Sequence, residues 1–134
     1  MPKHWIEYAE TWRDEPLAFW VHRQVDSPNW RDAFEFDPPA PAKEPGKGFP
    51  IYLFEIDGFT FRFSSIPQIE HCVDIFSQKN LPQTRSLSES RCDNYGPNTH
   101  WLSRLPANTK SWKYREKAIK YLEKVLNNLR GDGT

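Results

Sequence analysis

The stretch FPIYLFEIDGFTFRFSS, Phe49 to Ser65, constrains the fold more than any other part of the chain. Asp57-Gly58 is the two-residue signature of a type I′ hairpin turn, flanked on both sides by β-branched and aromatic residues. The turn sets the register: Ile56 faces Phe59, Phe54 faces Phe61 and Tyr52 faces Phe63. Five aromatic rings and one isoleucine therefore share a face. Glu55 with Thr60, and Leu53 with Arg62, fall on the other face, where Glu55 and Arg62 are diagonal neighbours within reach of an ion pair. So segregated a ladder predicts one covered face and one wet face.

A helix is expected directly afterwards. Ser65 is placed to cap it, Gln68 to complete a capping box, and Pro67 is tolerated where the first turn needs no N–H donor. Ile69, Cys72, Val73 and Phe76 then line one side at helical spacing, with Glu70, Asp74 and Ser77 opposite. Upstream, PLAFWVHRQV satisfies both a strand and a helix template. Its β-branched and aromatic content favours a strand, paired with HWIEYAETW across the turn-like RDEP. The Pro- and Gly-rich PPAPAKEPGKGFP reads as a surface loop between two halves of one sheet.

Leu81 to Asn98, rich in Ser, Asn and Pro, has no sustained period and reads as a long connection. THWLSRL is expected to form a short helix running until Pro106. A long helix should run from about Ser111 to Arg130, with Gly131 placed to stop it. The expected fold class is α+β: an antiparallel sheet of N-terminal strands plus the 50–65 hairpin, packed against two or three helices from the C-terminal half. At 134 residues the chain fits one domain, 1–134, sheet-forming over about 1–65 and helical over about 66–130.

No apolar run reaches the roughly 20 residues that span a bilayer, which argues against an integral membrane protein. The N-terminus has no continuous apolar segment of the secretory type, so the expected location is cytoplasmic, with Cys72 and Cys92 as free thiols. The formal net charge is zero, but residues 1–98 carry 10 Lys and Arg against 15 Asp and Glu, whereas residues 99–134 carry 8 against 3. That polarity could steer a partner or favour self-association.

The basic excess gathers around the last helix. Ala118, Ile119, Leu122, Val125, Leu126 and Leu129 form its apolar stripe, and Lys113, Lys117, Lys120 and Lys124 recur on the opposite side. Trp101, Arg104, Lys110, Trp112, Lys113, Arg115 and Lys117 interleave rings with cations, the combination that stacks on bases and neutralises phosphates. These seven are the candidate partner-binding residues, with nucleic acid the expected partner ahead of an acidic protein. Solvated lysines on a core-packed helix, with Trp101 and Trp112 as interior residues, would give the same letters.

DGFTFRF partly resembles the RNP1 strand of RNA-recognition motifs, through Gly58, Phe59 and Phe61 only. Asp57, Thr60, Arg62 and Ser64 depart from that pattern, and the hairpin register turns Phe59 and Phe61 toward the following helix. The string is therefore assigned to the core.

Catalytic signals are thin. No nucleophile-elbow, phosphate-loop or zinc-protease string occurs, the four histidines lack metal-site spacing, and no cofactor or metal is expected. His71 and Cys72, adjacent on a helix, point about 100° apart. The expected function is a non-enzymatic binding module. The alternatives are a protein-interaction or regulatory factor using the acidic N-terminal half and the Pro-rich loop, and a small enzyme centred on His100 or Cys92.

Overall fold

The hairpin forms as its sequence requires, in β4 (Phe49–Ile56) and β5 (Phe59–Phe63), joined by Asp57 and Gly58, both at positive φ. The structure, a computed structural model, describes residues 2–79, 81, 101 and 105–132, and the side chains of all of these except 31 and 130–132. The register is the expected one, with Ile56 opposite Phe59, Phe54 opposite Phe61 and Tyr52 opposite Phe63. β1 (Lys3–Ala9) pairs antiparallel with the outer side of β4, so the order is β1-β4-β5.

This arrangement corrects the expected pairing of the N-terminal third. Residues 17–25 are not a strand partner of β1: they contain a single helical turn, α1 (Ala18–Val21), followed by β2 (Arg23–Gln24). β2 pairs with β3 (Phe36–Asp37) in a separate two-stranded sheet. The Pro-rich loop accordingly joins two sheets rather than two halves of one. Helical spacing prevails because Leu17, Ala18, Phe19 and Trp20 are all buried, which an alternating strand with one wet face could not achieve.

The second face of the hairpin is not uniformly wet. Ile51 and Leu53 are buried because β4 is the central strand, with Glu7 and Trp5 of β1 opposite them. Arg62 is exposed there but pairs with Glu15, at 2.7 Å, instead of with Glu55. Glu55 lies 3.9 Å from Lys3.

α2 (Ile66–Phe76) buries Ile69, Cys72, Ile75 and Phe76. Its start is built differently from a capping box. Ser65 occupies the cap position without capping, and Gln68 reaches back one residue further, accepting from the Ser64 amide at 2.9 Å and donating to Ser64 Oγ at 2.7 Å. After a short 3₁₀ turn, Ala107–Lys110, the long helix α3 spans Trp112–Asp132. Its first turn is capped by Ser111, whose Oγ accepts from the Tyr114 amide, and it continues through Gly131 instead of ending there. Ala118, Leu122, Val125 and Leu126 are buried, with Ile119 and Leu129 packed beside them. No helix among the described residues is long and apolar enough to cross a membrane.

The fold is thus α+β, with antiparallel sheet covered by helices from the second half of the chain. One apolar cluster runs from Trp12 to Leu126. Phe61 joins its layers: its ring centroid lies 5.9 Å from that of Phe76 on α2 and 6.5 Å from that of Tyr114 on α3. Phe61 and Phe63 are core residues and Phe59 packs against them, as the register predicts. At the N-terminal end, Trp12, Trp30 and Phe36 meet edge to face under the Arg13 guanidinium, which donates to the carbonyls of Trp30 and Ala33. Arginine here satisfies loop carbonyls and stacks on rings together, a task its planar fork suits.

Candidate functional site

The outward side of α3 carries the basic stripe. Lys113, Lys117, Lys120 and Lys124 are exposed and, at 100° per residue, fall within a sector of about 60° opposite the apolar stripe. Glu116 and Glu123 lie on one flank, and the half-buried Tyr121 on the other. Lys117 is drawn across to the hairpin turn, where its Nζ donates to Asp57 Oδ1 at 2.7 Å. Both partners are about half exposed, so the contact is a screened surface pair.

The seven sequence-derived candidates separate into distinct environments. Trp101 is 2% exposed; its indole Nε1 donates to His71 Nε2 at 3.2 Å and its ring packs on Phe76. Arg115 is 4% exposed, and its guanidinium donates to the carbonyls of Phe76, Gln78, Lys79 and Lys110. These carbonyls lie at the end of α2 and immediately before α3, so Arg115 completes the C-terminus of one helix from the first turn of the next. Burial lowers its pKa from the ordinary arginine value. Neither Trp101 nor Arg115 presents a free surface to a partner.

Trp112 is 36% exposed, with the Arg115 guanidinium 5.1 Å from its ring centroid. Lys110 is half-buried and Lys113 exposed. Trp112, Lys110, Lys113 and Lys117 therefore remain at the surface, extended by Lys120 and Lys124. Arg104, His100, Cys92, the expected connection beyond Leu81 and the expected 99–105 helix, apart from Trp101 and the burial of Leu105, lie outside the described residues.

A second polar assembly, which the sequence does not announce, joins residues 43 apart. His22 Nε2 lies 2.7 Å from Ser65 Oγ, and its Nδ1 lies 2.9 Å from the Pro38 carbonyl. The carbonyl can only accept, so Nδ1 carries the proton and Nε2 accepts from the serine hydroxyl. Burial also lowers the His22 pKa, which favours this neutral form. Ser65 therefore engages His22 instead of capping α2. A groove of about 410 Å³ lies alongside, lined by Pro39, Pro41, Glu44, Tyr52, Ser65 and Pro67 among others. The hydroxyl–imidazole order is that of a nucleophile and base, but His22 is fully buried and Ser65 is 5% exposed. The pair serves as an interior latch between α1, the Pro-rich loop and α2.

Cys72 is fully buried in the α2 apolar stripe as a free thiol, and desolvation raises its pKa, which suits packing rather than nucleophilic chemistry. Among the described residues no group of His, Cys, Asp and Glu is placed to hold a metal ion. Comparison of the chain with protein-family models, with curated proteins and with solved structures returns no match.

Proposed function

We propose that the chain is a binding module for an anionic partner, single-stranded nucleic acid foremost, engaged along the outward side of α3. The observation that carries this reading is the exposed Lys113-Lys117-Lys120-Lys124 stripe along one side of the helix. Cations spaced along a helix neutralise successive phosphates. Glu116 and Glu123 share one flank with Trp112 and bias the strand toward the other, so the lysine row and not the ring carries the contact.

The test is fluorescence anisotropy with short single-stranded DNA and RNA at several salt concentrations, comparing the native chain with the triple variant Lys113→Glu, Lys120→Glu, Lys124→Glu. All three side chains are exposed, so the fold should survive. Salt-sensitive binding in the native chain, with a salt slope smaller by about 2 in the variant, supports the reading. Equal binding by both, or none by either, refutes it.

A second reading rests on Phe34, which is 85% exposed next to Val25 at 62%. The loop is held rather than loose: Asp26 accepts from the backbone amides of Phe34 and Glu35, and Val25 N donates to Glu35 O. A displayed aromatic rimmed by acidic side chains suits a protein partner with a basic-edged apolar pocket. Phe34→Ala should abolish such binding while leaving nucleic-acid affinity unchanged.

A further inference from the structure

The two edges of the three-stranded sheet are treated differently. β5 is tied to the segment before α1, by the Arg62–Glu15 ion pair and by Ser64 Oγ donating to the Trp12 carbonyl at 3.2 Å. β1 pairs only with β4, and no described element lies on its outer edge. Its residues are exposed nearly throughout, Ile6 at 46% and Tyr8 at 41%. Seven residues of strand without an internal proline or bulge present unpaired backbone donors and acceptors, a template that folded proteins rarely leave uncovered.

The sequence of this edge is complementary to itself. In an antiparallel pair of β1 strands related by a two-fold axis at Trp5, Lys3 of each copy stands opposite Glu7 of the other, Trp5 faces Trp5, and His4 faces Ile6. Both charge pairs then lie on one face, flanking the two indoles, and directly opposed unlike charges and aromatic pairs stabilise adjacent strands. Other registers lose this match. An axis at Ile6 sets Lys3 against Ala9 and Glu7 against Trp5, while an axis at His4 sets Lys3 against Trp5. Pro2, which has no amide donor, limits extension past the strand's start.

We propose that β1 pairs with β1 of a second copy of this chain, in the Trp5-centred register, to give a two-fold dimer with one continuous six-stranded sheet. The contact is isologous, so it closes at two copies and does not propagate. Within one copy Lys3 lies 3.9 Å from Glu55 and 5.9 Å from the Trp5 ring centroid, and Glu7 accepts from the Trp5 indole at 2.8 Å; Lys3 and Glu7 are both exposed, so both charges can reorient toward a partner strand.

Sedimentation velocity on the full chain, from low to high micromolar concentration, tests this with two charge reversals, Lys3→Glu and Glu7→Lys. Each variant alone places like charges opposite one another twice and should dimerise about tenfold or more weakly than the native chain. An equimolar mixture of the two variants restores both unlike pairs and should form heterodimers of native affinity. Circular dichroism of each variant confirms that the fold is kept. A native chain that is monomeric throughout overturns the proposal and leaves the edge to water or to a strand of another protein. A mixture no more associated than its components also overturns it.

Discussion

Replacing Arg115 should damage the fold, not merely a surface. Its guanidinium serves four carbonyls, two of which, Gln78 and Lys79, belong to exposed residues whose carbonyls water can satisfy after the side chain is removed. The bond to Phe76 O, 3.1 Å long, is buried, and its loss strands an acceptor at the end of α2. Hydrogen bonds to a charged donor contribute about 1.5–3 kcal/mol each, they are not additive, and an orphaned buried carbonyl costs about 1–3 kcal/mol. Together these give about 2–4 kcal/mol for Arg115→Ala. Arg115→Lys keeps the charge but not the planar fork, so it should recover only part of that loss. Urea unfolding followed by tryptophan fluorescence reads the difference directly. With a slope of about 2 kcal/mol/M the midpoint of the alanine variant should fall by about 1–2 M. An alanine variant within about 0.3 M of the native midpoint, or a lysine variant equal to the native chain, would refute the assignment of Arg115 as a helix-end connector.

Gly48→Ala should cost about 2 kcal/mol or more, because φ is +111° and an added Cβ would stand 2.6 Å from the Ala9 carbonyl oxygen; a thermal midpoint lower by about 8 °C checks it. Burial lowers the pKa of His22 and His71, so the folded chain binds fewer protons than the unfolded one. Their contribution to stability is complete above the unfolded value of about 6.5 and is lost as pH falls toward their depressed folded values. Urea midpoints should therefore drop between about pH 7.5 and 5, and the drop should shrink in the variant His22→Gln, His71→Gln. The Cys72 thiol, fully buried with its pKa raised by desolvation, should react with a disulfide reagent only as fast as the chain opens, so its rate in mild urea should track global unfolding.

Local chemistry decided which parts of this fold were legible in the sequence. Asp57-Gly58 sets a turn by φ alone, and the register of β4 and β5 follows by counting; so does most of the buried side of α2, where Ile69, Cys72 and Phe76 are buried as spaced, Val73 is half-buried and Ile75 joins them. The apolar stripe of α3 is readable for the same reason, since helical spacing is a property of neighbours. Residues 17–25 are ambiguous because a four-residue turn and a short strand give overlapping apolar patterns; what separates them is the burial of Leu17 to Trp20 together, with Phe19 edge-on to Trp30 and His22 edge-on to Trp12. Ser65 has the sequence position of a helix cap, since serine directly before a helix usually is one. Its actual partner is His22, 43 residues away, and no local pattern encodes that.

The candidate site shows the same division between short-range and long-range information, with a chemical regularity behind it. As letters, Arg115, Lys113 and Lys117 contribute equally to a basic cluster. In the fold they do not, because the C-terminus of α2 offers carbonyls that the five-donor planar fork of Arg115 serves together. Arg13 does comparable work at Trp30 and Ala33, and Arg62 holds Glu15. These three arginines act as connectors between segments distant in sequence, whereas lysines, with a compact and strongly hydrated charge, supply most of the outward stripe of α3. A net charge taken from composition therefore overstates the positive charge offered to a partner. Charge reversal at Lys113, Lys120 and Lys124 interrogates binding, while the same change at Arg115 interrogates the joint between α2 and α3, and only the first can bear on function.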